Sequence, residues 1–146
     1  MGTSYVELND RGFWTHDTFL EGLYFLLARE FNKIEDKQVW QKELITKFNS
    51  AATADFIGCV PSYLYYFDTS DKIELLRKSL LYIQKELCEN PNFLNNMEFP
   101  KGNLGNVVWV NLTVKRYINI TRLTLDLING HLTTDASSPI DYWIVE

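Results

Sequence analysis

From Ile73 to Leu87 the apolar residues Ile73, Leu76, Leu80, Ile83 and Leu87 recur at three- and four-residue steps, a spacing that only a helix gathers into one stripe. A strand would send alternate side chains to opposite faces and split the same set. One striped helix cannot shield its apolar side from water by itself, so the rest of the chain must supply matching faces. Two earlier segments do so. From Asp17, read as an N-cap, Leu20, Leu23, Tyr24, Leu27, Ala28 and Phe31 form a broad stripe that predicts a helix to about Asn32. A second helix is expected to open at Asp36, with Val39, Trp40, Leu44, Ile45 and Phe48 on one side and Lys37, Gln41, Lys42 and Lys47 mainly on the other. The third opens with Asp71 and Glu74 in a capping-box-like arrangement and stops before Asn90-Pro91.

The remaining segments are less regular. Residues Tyr5 to Leu8 alternate apolar and polar side chains before Asn9-Asp10-Arg11-Gly12, which predicts a short edge strand running into a tight turn. Ser50 to Asp68 has no clean period, contains Gly58 and Pro61, and reads as an ordered connector. Pro91 to Asn106 reads as a loop in which Phe93, Leu94 and Phe99 tuck against the core. Val107 to His131 satisfies two periods: Val108, Val110, Leu112 and Val114 alternate like a strand, whereas Leu112, Arg116, Ile120, Leu123 and Leu127 share a helical face. Asn129-Gly130 is correspondingly either a hairpin turn or a helix terminus with glycine in the left-handed cap. The tail holds Ile140, Tyr142, Trp143 and Ile144, too apolar for a free end, and is expected to dock on the body. The fold expected is α+β, a mainly α-helical single domain over residues 1–146 with a small antiparallel β element.

A chain of 146 residues has the length of one ordinary domain. It buries roughly 70% of its unfolded surface on folding and needs no staples. The formal net charge is −5, and the tight basic groupings stop at Arg77-Lys78 and Lys115-Arg116, too little clustered charge for direct nucleic-acid binding. A negative field favours a basic protein partner instead, such as a nuclease with its own phosphate-binding groove. Cys59 and Cys88 make no CxxC pair and read as two half-buried thiols in a reducing cytoplasm. No apolar run is long enough to span a membrane, and the first residues have no signal-peptide pattern, so a cytoplasmic location is expected.

Catalytic patterns are missing from the sequence. His16 and His131 lie far apart and read as surface or capping residues. No HxxxH, CxxC or HExxH spacing offers a metal site, and no GxSxG, GxGxxG or P-loop pattern offers a nucleophile or phosphate cradle. Neither cofactor nor metal is expected. The carboxylate pairs Glu35-Asp36, Asp68 with Asp71, and Asp135 with Asp141 are the acid–base option, and they read as caps and solvated loops, which leaves a small hydrolase as the outlying alternative. Aromatic residues make up 14% of the chain. Trp40 and Trp109 are expected in the core. Trp14 and one or more of Tyr63, Tyr65 and Tyr66 are expected in turn or cap positions beside Asp10, Asp17, Asp68 and Asp71. Rings beside acids suit an interface with a basic partner, because a ring supplies contact area at small rotamer cost and a carboxylate pairs with Arg or Lys. The candidate partner-binding residues are therefore Asp10, Trp14, Asp17, Tyr65, Tyr66, Asp68 and Asp71.

Several of these features recur together. Tyr5-Val-Glu-Leu-Asn, then Gly12-Phe-Trp with Asp17 and Leu20-Glu21, resembles the start of small immunity proteins of contact-dependent growth-inhibition systems. The amphipathic helix after Phe67-Asp68, Trp109 ahead of an apolar segment ending in Gly130, and Ser138-Pro139-Ile140-Asp141 extend the likeness. The resemblance implies a cytoplasmic antitoxin that binds the toxin domain delivered by a neighbouring bacterium, often a nuclease, and covers its active site without performing chemistry. It also favours a short extended piece at Val107 to Val110 followed by a helix to about Asn129. A non-catalytic adaptor or regulatory subunit binding another host protein is the alternative.

Overall fold

A computed structural model describes residues 3–53, 60–95, 97 and 114–132. The chain opens with a hairpin of β1 (Thr3–Leu8) and β2 (Arg11–His16). These strands pair antiparallel with Leu8 opposite Arg11 and Tyr5 opposite Trp14. The two-residue loop places Asn9 at φ 52° and Asp10 at φ 64°. Two successive left-handed residues make a type I′ turn, whose twist matches the strands it joins, and Asn and Asp adopt that backbone region at the lowest cost after glycine. The single expected strand is therefore one arm of a pair, and Gly12-Phe13-Trp14 belongs to the other.

Among the described residues, four α-helices follow: α1 (Asp17–Asn32), α2 (Val39–Ala52), α3 (Ser70–Glu89) and α4 (Val114–Ile128), with a single 3₁₀ turn at Leu64–Tyr66 between α2 and α3. The mainly helical α+β reading of the sequence holds. Helix α1 packs chiefly on α2 and also touches α3, α4 and both strands, while α3 packs chiefly on α4. One apolar cluster joins Val6 and Phe13 of the hairpin to Leu20, Leu27 and Phe31 of α1, Leu44 and Phe48 of α2, Leu76, Leu80 and Ile83 of α3, and Ile120 of α4.

Local capping chemistry moves several helix boundaries. Asp17 is the first helical residue and His16 holds the N-cap position, so the Asp17 carboxylate acts in the first turn, where it complements the helix dipole. Asp36 does not open α2; it sits at φ 50° in the preceding turn. The helix starts instead after Gln38, whose N–H donates to Gln41 Oε1 at 2.9 Å while its own side-chain oxygen accepts from Trp40 Nε1 at 2.7 Å. That later start leaves Val39 72% exposed, against the expectation that it faces inward, and Trp40 half-buried at the rim of the core. For α3 the cap is Thr69, whose hydroxyl accepts from Lys72 N–H, and Asp71 lies in the first turn.

In the doubtful segment the helix prevails over Val114–Ile128. Its β-branched residues are accommodated because Thr121 and Thr124, both buried, donate back to the carbonyls of Tyr117 and Ile120 at 2.7 and 2.8 Å. Gly130 at φ +73° ends it: Gly130 N–H donates to Leu127 O and His131 N–H to Asp126 O, the paired bonds of a Schellman terminus. Leu94 is buried and Phe93 half-buried, as the loop reading expects. Cys88 is exposed on α3, which corrects its half-buried reading. Cys59, Phe99, the strand expected at Val107 to Val110, Trp109, the Asp135–Asp141 pair and the apolar tail at Ile140 to Ile144 lie outside the described residues.

Candidate partner-binding surface

The seven candidate residues divide between two parts of the fold. Asp10 is exposed at the hairpin tip, Trp14 is half-buried on β2, and Asp17 opens α1; Tyr65, Tyr66, Asp68 and Asp71 lie on the 3₁₀ turn and at the start of α3. In the first group the side chains mostly serve the fold. Trp14 packs across the strand pair on Tyr5 with ring centroids 5.2 Å apart. Its indole Nε1 is buried and, among the described residues, has no hydrogen-bond partner. The Asp17 carboxylate accepts from the Ser4 hydroxyl, and Ser4 Oγ accepts from Val60 N–H at 2.7 Å, so this chain of bonds fastens the connector to the hairpin and α1.

The second group is presented outward by a buried support. Tyr24 is 1% exposed and stacks on Phe48 at 4.7 Å. Its hydroxyl donates to Pro61 O at 2.6 Å and accepts from Tyr63 N–H at 3.2 Å. Burial pushes the Tyr24 phenol well above its ordinary range, which keeps the proton available for the Pro61 bond. Ser62 adds a second fastening, accepting from Glu7 N–H at 3.1 Å and donating to Glu7 O. Held at Pro61, Ser62 and Tyr63, the chain turns tightly, and Tyr63, Leu64 and Phe67 face inward while Tyr65 is left 62% exposed. Tyr66 is half-buried, its ring 4.8 Å from that of Tyr65. Burial, then the adjacent Tyr65 hydroxyl, and then the Glu43 carboxylate among others raise the Tyr66 phenol.

Asp68 is exposed but already engaged. Lys72 Nζ donates to its Oδ1 at 2.9 Å, and that bond with its charge lowers the Asp68 carboxyl below the ordinary carboxylate value. The same ammonium lies 5.0 Å from the centre of the Trp40 ring. Asp71 is exposed and, among the described residues, makes no ion pair. The patch therefore carries open carboxylates at Asp71 and at Glu43 of α2, one internally neutralised carboxylate at Asp68, and an exposed ring at Tyr65.

Sequence reasoning missed Glu43, Ser4, Ser62, the support role of Tyr24, and Glu21. Glu21 is 8% exposed on α1, and burial, then the Asp17 charge one turn away, push its carboxyl up from 4.5 to about 7. The signal was present, because Glu21 falls inside the stripe set by Leu20, Tyr24 and Ala28. A carboxyl near neutrality is what general acid–base work requires. The cavity beside the hairpin tip, of about 160 Å³ and lined by Leu8, Asn9, Arg11, Leu127, Ile128, Gly130 and Leu132, does not reach it. That volume is below the roughly 300–1,000 Å³ usual for small-molecule sites.

Among the described residues no three His, Cys, Asp or Glu side chains converge as a metal site, and no helix is long and apolar enough to cross a membrane. No family model, curated protein or solved structure matches this chain.

Proposed function

We propose that this chain is a non-catalytic protein-binding domain of the immunity type, acting in the cytoplasm to bind the toxin domain of a contact-dependent growth-inhibition system, a basic nuclease, and cover its active site. One observation carries the reading: Tyr65 stands 62% exposed on a turn fixed from beneath by Tyr24 and Ser62, with the exposed carboxylate of Asp71 in the first turn of the helix that follows. A large ring on a fixed backbone gives contact area with little ordering cost on binding, and such rings dominate the energetics of interfaces.

The test is to mix the purified chain with the protein encoded beside its gene and follow both complex formation and the activity of that protein. An equimolar complex and loss of the partner's activity are expected. The absence of both would refute the proposal, and binding of a host protein in the toxin's place would support the adaptor reading.

A further inference from the structure

Among the described residues, four aromatic rings have a cation of the chain itself against them. Lys33 Nζ lies 4.7 Å from the centre of the Tyr82 ring, Lys47 Nζ 5.8 Å from Tyr63, Lys72 Nζ 5.0 Å from Trp40, and the Arg116 guanidinium 5.3 Å from Phe19. Of the two exposed aromatic side chains among the described residues, Tyr82 is thus covered by a cation of the chain itself and Tyr65 is not. Glu43 is exposed on α2, one helical turn before Lys47, whose ammonium lies over the Tyr63 ring, itself 6.5 Å from the Tyr65 ring; the Glu43 charge also opposes ionisation of the Tyr66 phenol. The ordinary partner of Glu43 is Lys47, one helical turn on, because residues four apart share a helix face. Lys47 is instead turned over the Tyr63 ring, and among the described residues Glu43 makes no ion pair.

We infer that Tyr65, Tyr66 and Glu43 form a seat for one arginine side chain of a partner protein, with the guanidinium lying on the exposed ring and forked to the Glu43 carboxylate. This rests on the reading of the chain as a protein-binding domain and names what its patch recognises. Arginine fits better than lysine because its planar, weakly hydrated cation stacks on a ring and offers paired donors to a carboxylate at once, whereas an ammonium holds its water. Lys47, a like charge, lies over the Tyr63 ring and not over Tyr65. Asp68 is excluded from the seat by its bond to Lys72.

The probe is N-acetyl-arginine amide, titrated into the full chain and followed by NMR, with the uncharged N-acetyl-citrulline amide as its isostere. The arginine derivative is expected to shift the ring signals of Tyr65 and Tyr66 and the side-chain carboxyl of Glu43, and the citrulline derivative to leave them in place. Tyr65→Ala and Glu43→Gln should each weaken the arginine response severalfold with an unchanged melting temperature, and Asp71→Asn should leave it intact. Equal responses to both probes, or arginine shifts mapping elsewhere, overturn the seat. So does a concentration-dependent shift of the Tyr65 signals without any probe, which would assign the face to a second copy of the chain. With the whole partner, each of the two variants should weaken binding about tenfold. A complex that both variants leave unchanged ends the arginine seat while the binding-domain reading stands. A wild-type chain that forms no complex ends the broader reading, and the small-probe result remains separately decisive for the seat.

Discussion

At the scale of single residues, two polar side chains placed where water is excluded, Glu21 and Tyr24, bear on the stability of this fold. Glu21 favours its protonated form in the folded chain, because burial and the Asp17 charge raise its carboxyl from 4.5 to about 7. The unfolded chain releases that proton near the ordinary value, so the contribution to stability is fully present below about 4.5 and declines as pH rises to about 7, with no further change above. Glu21→Gln should therefore raise the melting temperature above pH 7 and give no gain below pH 4.5, a difference that thermal unfolding at the two ends of the range reads directly. Tyr24 carries a different load. Tyr24→Phe leaves Pro61 C=O and buried Tyr63 N–H without their bonds and should cost about 1–3 kcal/mol in chemical denaturation, with faster amide exchange at Tyr63. Of these two roles, the burial of Glu21 was legible, since it interrupts an apolar stripe. That of Tyr24 was not, because its partners lie 37 and 39 residues away and no local pattern announces them.

At the scale of elements, period decided what the chain could show in advance. Helices α1 and α3 were readable because their apolar residues sit on one face, and α3 in particular alternates between fully buried and open positions within one step. Leu80 is 0% and Leu81 49% exposed. Leu80→Ala should cost about 2–5 kcal/mol and Leu81→Ala at most about 0.5 kcal/mol, compared by urea unfolding midpoints. Where the sequence reading slipped, competing caps were the cause. Asp36 and Asp71 are good N-cap residues, yet Gln38 and Thr69 make the bonds that set the starts of α2 and α3. Helix α4 was ambiguous because Thr and Ile favour strands in isolation; buried Thr hydroxyls bonded to the preceding turn, and Gly130 beyond the end, resolve it within the folded chain.

For the whole molecule, the hairpin, connector and α1 form one support. Ser4, Asp17, Tyr24 and Ser62 tie them together, and the 3₁₀ turn is carried on the outside of that assembly. The sequence placed an aromatic and acidic cluster between α2 and α3, but which of Tyr63, Tyr65 and Tyr66 faces outward depends on a three-residue turn pinned by distant side chains. It also grouped Trp14 and Asp17 with that cluster on chemistry alone, whereas their packing and bonds lie within the hairpin and α1. A partner is expected to sit on the turn and the start of α3. Hydrogen–deuterium exchange of the chain alone and in complex with the protein encoded beside its gene tests this most directly, because the first amides of a helix have no intrahelical acceptor and exchange readily when uncovered. Protection of the amides from Tyr65 to Asp71 on complex formation is predicted; a complex that leaves those amides as fast as in the free chain would rule out a partner on this face.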